Sequence, residues 1–447
     1  MQIVFLLVMG CLLKHGVSAF AAVPSTHTRI RMGAGQAAGV RYAAMTDPIE
    51  QAKAHFFAGN ALFEAGQLDD AAARYQAALA LVPGRPSILA NLGVTQCRLG
   101  QWAAAVATLT QATKADPTHR DAWVALGLSH EALSNWAPAA QALQEGIRLG
   151  ASTAQLWLSL ALCLLRLERQ PADALRALDH ALALEPTLAE AWSQRGSVLR
   201  EAGRHAEAAR CFEQALAHGG DETLHRFYLA SVLSGEAAPA QPPRVYVEAL
   251  FDDYADDFQT HLVQHLKYQA HETLLAPLCT GGQRYPLVLD LGCGTGLCGQ
   301  RIRDHADAVD GVDLAQAMVE RSRASGAYRR VEQGDLLGFL QAQTESADLV
   351  IAADVFIYVG ALDAVFAAVR QRLRPGGCFA FSVELAIEGL EPQLRPSLRY
   401  AHSLPYVERL AKAHGFQVRQ TWQAPLREDQ QKPVMGLYVL LEPAAGH

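Results

Sequence analysis

An all-α repeat array followed by an α/β domain is the fold class that this 447-residue chain predicts. Three observations predict it. Residues recur with a 34-residue period through the first half of the chain. After residue 243 that period stops, and apolar strand-like runs alternate with helical stretches. The first of those runs ends in a glycine-rich turn, Gly292-Cys293-Gly294-Thr295-Gly296.

The repeat is seen by aligning Gly59, Gly93, Gly127, Ala161, Gly196 and Ala230, spaced 34, 34, 34, 35 and 34 residues apart. Small residues recur at a second phase: Ala71, Ala105, Ala139, Ala174 and Ala208. Pro83, Pro117 and Pro186 close three of the units. Each unit reads as a helix pair that cannot bury its apolar face alone. Small residues let the two helices approach, and proline stops the second helix. The pattern resembles the tetratricopeptide repeat, which has this period. The resemblance implies a solenoid of about five repeats over residues 45–234, with 221–234 as a capping helix. It also implies a concave groove for a protein partner or a carrier-bound substrate. Phe56, Asn60, Phe63, Val94, Arg98, Leu128 and Glu131 fall at the lining positions, include no dense Lys/Arg cluster, and would serve equally well to pack against a neighbouring domain.

Residues 1–44 stand outside the domain reading. Residues 3–13, IVFLLVMGCLL, have the length of a signal-peptide core, but no Lys or Arg precedes them. A start at Met45 would lead directly into the first repeat. The run is also too short to span a bilayer. Cysteines without a disulfide framework fit a reducing compartment, and a cytoplasmic location is expected.

Composition narrows the function classes. Half of the residues are apolar and 19% are charged, which excludes a wholly disordered chain. With 38 Lys+Arg against 45 Asp+Glu there is no basic excess to neutralise phosphates, so no nucleic-acid partner is expected. The eight cysteines contain no C-x-x-C pair, which speaks against a zinc ribbon or a disulfide scaffold. No G-x-S-x-G elbow or Walker loop is present to support a hydrolase or a nucleotidase. His261 and His265 are at i, i+4 but lack an acidic third ligand, so no metal is expected.

Gly235 to Pro243 breaks the helical period and reads as a linker. Beyond it, residues 244–280 read as helical, with an acidic start around Tyr254. Strand-like runs follow at 286–291, 307–312, 347–353, 376–383, 416–421 and 435–441. Alternating strands and helices predict βαβ units.

The chemistry gathers at the ends of these strands. Val288-Leu289-Asp290-Leu291 runs straight into Gly292, Gly294 and Gly296, where the missing side chains let backbone approach a ligand. A dinucleotide fingerprint needs its third glycine at position 297, which is Leu, so a nicotinamide oxidoreductase is disfavoured. Asp313 ends the second strand, 23 residues after Asp290, where a carboxylate can accept both ribose hydroxyls of an adenosine. Asp335 follows in Gln333-Gly334-Asp335-Leu336, suited either to an adenine amine or to a helix N-cap. Asp354 ends the fourth run.

Residues 286–384 resemble class I S-adenosylmethionine-dependent methyltransferases. V-L-D-L-G-C-G-T-G matches that family's first motif, and Leu373-Arg-Pro-Gly-Gly377 matches the turn before its fifth strand. With the repeats, the chain looks like the bacterial methyltransferases that carry an N-terminal tetratricopeptide array. The resemblance implies a Rossmann-like domain over 244–447, with a seven-stranded sheet ending in an antiparallel strand. It places S-adenosyl-L-methionine against Asp290, Gly292, Cys293, Gly294, Gly296, Asp313, Leu314, Met318, Asp335 and Leu336. Met318 serves equally well as plain core.

Transfer is an in-line displacement that needs the acceptor held close and aligned. Asp354, Tyr358 and Glu384 at strand ends are candidates for the acceptor side, with Tyr400 and His402 in the insertion after the fifth strand. Asp354, Tyr358 and His402 are the catalytic residues expected. The expected function is methyl transfer to an O, N or C acceptor. The rival is an adaptor whose repeats bind a partner and whose second domain holds cofactor without catalysis.

Overall fold

The computed structural model describes residues 47–167, 171–233, 238–243, 246–247, 267–429 and 432–444. The signal-peptide reading, the acidic lead-in around Tyr254, and His261 and His265 lie outside those residues. The chain divides into two compact units between Arg195 and Gly196.

In the first unit the repeats are helix pairs: α1 (Pro48–Glu64) with α2 (Leu68–Leu81), α3 (Pro86–Arg98) with α4 (Trp102–Ala115), α5 (Arg120–Ala132) with α6 (Trp136–Arg148), and α7 (Ala154–Arg166) with α8 (Pro171–Leu184). α9 (Ala189–Glu201) begins in this unit and ends in the next.

The aligned small residues are buried against the partner helix sixteen positions on. A Cβ on Gly59 would stand 2.7 Å from Tyr75, on Gly93 2.4 Å from Leu109, and on Gly127 2.6 Å from Leu143. In the fourth repeat Ala161 takes the glycine's place, and the residue sixteen on is Ala177; both are buried in one cluster. A larger residue on one helix is thus matched by a smaller one on the other. Turns between helices carry glycines with positive φ, such as Gly66 at 77° and Gly100 at 72°.

The second unit holds α10 (His205–Ala217), α11 (Glu222–Val232) and the sheet domain. Gly196 admits Phe212 by the same rule, since a Cβ there would be 2.6 Å from its ring. On α11, Phe227 packs against Tyr246 and Tyr400, with ring centroids 5.2 Å and 6.4 Å away. Within the segment read as a linker, Pro239 accepts from the Tyr400 hydroxyl at 2.8 Å, and Ala240 accepts from the Ala361 N–H at 2.9 Å. The change of sequence pattern at 235–243 and the division at residue 195 do not coincide, because these helices pack within the same unit as the sheet.

The strands among the described residues are β1 (Tyr285–Leu291), β2 (Ala306–Asp313), β3 (Arg330–Gln333), β4 (Ala347–Ala352), β5 (Leu373–Leu385), β6 (Gln393–Leu394), β7 (Tyr400–His402), β8 (Phe416–Asp429) and β9 (Lys432–Pro443). The parallel core runs β3-β2-β1-β4-β5, and β9 pairs antiparallel with both β5 and β8. This is the mostly parallel sheet with a final antiparallel strand that the resemblance implies, but with nine strands among the described residues where seven were expected. β3 and the short β6–β7 ribbon were not among the predicted strands: strands of four, two and three residues are too short to show a period.

Both faces of the sheet are covered, which explains the near-continuous apolar runs. Leu287, Leu289 and Leu291 face one core with Phe379 and Phe381. Val288 faces the other with Ile351 and Ala380. The connections α12 (Ala270–Leu275), α13 (Leu297–Ile302), α14 (Gln316–Ala324), α15 (Leu336–Ala342), α16 (Asp363–Arg372) and α17 (Leu404–Ala413) supply helical cover. The carboxyl ends of β1, β2, β4 and β5 are left to carry side chains of another kind.

Candidate active site

The turn between β1 and α13 is built on left-handed backbone, with φ of 65° at Gly292, 55° at Gly294 and 92° at Gly296. That region penalises residues with a Cβ. The three glycines have different surroundings. A Cβ on Gly292 would meet Val355 at 2.7 Å, and one on Gly296 would meet Tyr328 at 3.2 Å. A Cβ on Gly294 would have no heavy atom within 4 Å. Gly294 is therefore the glycine that opens on free space.

Hydrogen bonds lock the turn. Cys293 N–H donates to the Val312 carbonyl at 2.9 Å, Gly294 N–H to Asp313 Oδ2 at 2.9 Å, and Ser322 Oγ to the Gly294 carbonyl at 2.7 Å. Asp313 also accepts from the Ala315 N–H at 3.0 Å. Burial raises the Asp313 carboxyl above the ordinary range, while these backbone donors work in the opposite direction. The Thr295 hydroxyl is buried without a partner.

Asp290 is buried at the end of β1 and accepts from the Tyr328 hydroxyl at 2.6 Å. Burial pushes its carboxyl up to about 7. The same Tyr328 oxygen accepts from the Gly299 N–H at 3.1 Å. Gly299 and Gly311 make room for the ring, since a Cβ on either would come within 2.3 Å and 2.9 Å of it. The sequence reading missed Tyr328, which lies 38 residues from Asp290.

The other residues expected near a cofactor follow β2 and β3. Leu314 is 49% exposed, and Met318 is buried at 1%. Asp335 caps α15 by accepting from the Gly338 N–H at 2.8 Å, and Leu336 packs against the sheet core.

On the other side, beyond β4 and β5, stands a buried ion cluster. Asp354 has a left-handed φ of 58° and both carboxylate oxygens on Arg427 Nη1, at 2.8 Å and 2.7 Å. Arg427 Nη2 donates to Glu384 Oε2 at 2.9 Å. The Asp354 N–H donates to Ser382 Oγ at 2.9 Å. Arg427 comes from β8, which runs well past the predicted end at residue 421, and the sequence reading did not include it. Tyr358 lies in the turn after β4, in electrostatic range of Arg427.

His402 is placed differently. It is fully buried in β7, with Nε2 at 2.8 Å from the Gly360 carbonyl, and burial brings its ring down to about 4. The structure thus joins Asp354 to Glu384 and Arg427, and leaves His402 packed on the backbone after β4.

The methyltransferase domain family matches residues 288–377, the span that holds this turn and Asp354. Tetratricopeptide repeat families match 62–127 and 189–221. The chain joins tetratricopeptide repeats to a methyltransferase domain.

The chain is 30% identical, over 163 residues, to malonyl-(acyl-carrier protein) O-methyltransferase of Enterobacter lignolyticus (strain SCF1), covering 36% of this chain and 62% of the relative. It is 32% identical, over 136 residues, to dimethylglycine N-methyltransferase of Parasynechococcus marenigrum (strain WH8102), covering 29% of this chain and 47% of the relative. The chain thus spans less than two thirds of the length of these curated relatives. Similar solved structures include MamA, with 24% identity, 38% of this chain, 92% of that chain and a TM-score of 0.35. Another is an S-adenosylmethionine-dependent methyltransferase from Mesorhizobium loti, with 23% identity, 39% of this chain, 97% of that chain and a TM-score of 0.31.

Proposed function

We propose that the chain is a class I methyltransferase that moves a methyl group from S-adenosylmethionine to an O, N or C acceptor. The observation that carries this reading is Gly294, held left-handed, opening on free space and tied to buried Asp313. The residues present fit the cofactor. Gly294 leaves open space where a side chain would stand, the Thr295 hydroxyl is an orphaned buried donor, and the carboxyls of Asp290 and Asp313 lie at the same turn. When bound, the cofactor supplies an electrophilic methyl group on a sulfonium.

Each group in the chain then has a role. Gly292–Gly296 admits the ligand to the backbone, Asp313 accepts ribose hydroxyls, Leu314 offers apolar surface, and Asp335 stands at the adenine end. Asp354 is held with both carboxylate oxygens on Arg427 Nη1, and it acts by placing the acceptor; alignment is the main work of such a site. Tyr358 flanks that position. The repeats recruit a protein or a carrier-borne acceptor. Two of the relatives are named for an acceptor on a carrier protein, which suits this division of labour. Among the described residues no helix is long and apolar enough to cross a membrane. We place the reaction in the cytoplasm, where the methyl donor is made.

The test is calorimetric titration of S-adenosylhomocysteine into the wild-type chain, Asp313→Ala and Gly294→Arg. Micromolar binding by wild type, weakened at least about tenfold in both variants, is expected, since losing a charge-assisted hydrogen bond costs roughly 1.5–3 kcal/mol. A folded wild-type chain that binds nothing would overturn the cofactor site, and binding with no methyl transferred to any component of a cell extract would turn the reading to an adaptor that holds cofactor without catalysis.

A further inference from the structure

We infer that the wall beyond β5 holds an oxyanion-binding position centred on Arg399, so that the methyl acceptor carries a carboxylate or a phosphate; this rests on the methyl-transfer reading above.

Arg399 is 4% exposed, and its Nε is buried with no acceptor. Among the described residues no carboxylate stands within ion-pair distance of it. The other two buried guanidiniums among the described residues of this unit also leave Nε without a partner, but their Nη groups are answered. Arg427 holds Asp354 and Glu384, and Arg200 pairs with Glu201 and donates to the Pro396 carbonyl. A guanidinium cannot shed its proton to escape burial, so an unanswered one points to an anion that arrives from outside.

Its place in the fold says where that anion sits. β7 runs parallel beside the end of β5, with Ala401 opposite Glu384. Strand alternation carried one residue back puts Arg399 on the same face as Ala401 and Glu384. Glu384 is bound by Arg427 on one oxygen and pairs with Arg395 at 3.4 Å on the other. Arg395 and Arg399 close one hairpin, the Arg395 N–H donating to the Arg399 carbonyl at 2.9 Å. Three guanidiniums therefore face two carboxylates, Asp354 and Glu384. The uncompensated positive charge is the one on Arg399. It stands by the carboxyl ends of β4 and β5, where open α/β sheets bind their ligands. The planar fork of arginine matches a carboxylate or a phosphate bidentately.

The test uses the full chain saturated with S-adenosylhomocysteine, titrated with malonate and, separately, with inorganic phosphate. Wild type should bind one of the two, malonate for a carboxylate acceptor or phosphate for a phosphorylated one. Arg399→Gln should weaken that binding at least tenfold while keeping S-adenosylhomocysteine affinity within twofold, which certifies the fold. If Arg399→Gln does not fold, Arg399→Lys keeps the charge and loses the fork, and at least a threefold loss is expected. Binding of neither anion by wild type, or equal binding by the variants, overturns the proposal. If wild type fails to bind S-adenosylhomocysteine, the methyl-transfer reading fails by itself, and the same anion titrations on the chain alone still decide whether Arg399 holds an oxyanion.

Discussion

Asp290 ends β1 inside the protein, and its titration has a consequence for stability. Unfolded, an aspartate titrates at about 3.9. Folded, this one keeps its proton up to about 7, chiefly because burial penalises the charge. The native state binds the extra proton between those values, so this residue's contribution to stability is lost as pH rises through that window. Asp290→Asn has no charge to bury and still offers an oxygen to the Tyr328 hydroxyl. Chemical denaturation at pH 4.5 and pH 7.5 should show the variant gaining on wild type at the higher pH. An equal difference at the two pH values would contradict the shift. His402 moves the opposite way: burial keeps its ring neutral down to about 4. A neutral ring held by the Gly360 carbonyl positions the chain after β4.

Within the repeats, element packing rests on pairs of residues sixteen apart. Gly93 makes room for Leu109 and Gly127 for Leu143, whereas the fourth repeat pairs Ala161 with Ala177. Two effects compete at such a glycine. Glycine inside a helix costs about 1 kcal/mol relative to alanine, but overpacking a filled site costs about 1–3 kcal/mol. With a Cβ on Gly93 only 2.4 Å from Leu109, packing wins and glycine is kept. The fourth repeat allows a direct test. Ala177→Leu alone should destabilise by about 1–3 kcal/mol, and Ala161→Gly alone by about 1 kcal/mol. Together they rebuild the glycine–leucine pair of the second and third repeats, so urea denaturation should show a favourable coupling of at least ~1 kcal/mol. Strict additivity would refute the pairing rule.

At the scale of the whole molecule, each unit carries its own hydrophobic clusters. The repeat clusters run from Ala52 to Ala191, and the sheet clusters from Ala270 to Leu441. Separate cores make separate unfolding units. Scanning calorimetry should therefore resolve two transitions. S-adenosylhomocysteine at about a hundred times its dissociation constant should stabilise only the sheet-bearing unit, by about 2.7 kcal/mol. A ligand shift of both transitions together would show that the two units unfold as one.

The repeat array, the alternation of strands and helices after it and the glycine turn were legible along the chain, because those signals are local. A 34-residue period, an apolar run or a G-x-G-x-G can be read along the chain without knowing what lies across from it. The parts the sequence did not reveal are contacts between distant segments. Tyr328 reaches Asp290 from 38 residues away, and Arg427 reaches Asp354 from 73. Neither has a motif around it, because any strand that crosses the right neighbour could have supplied the group. The differing roles of Gly292, Gly294 and Gly296 are also tertiary. The three look alike in sequence, and only the side chains of Val355 and Tyr328 separate the glycines that make room for packing from the one that opens on free space. Backbone periodicity is written in the chain one turn at a time, whereas charge pairing and free volume exist only once the strands are side by side.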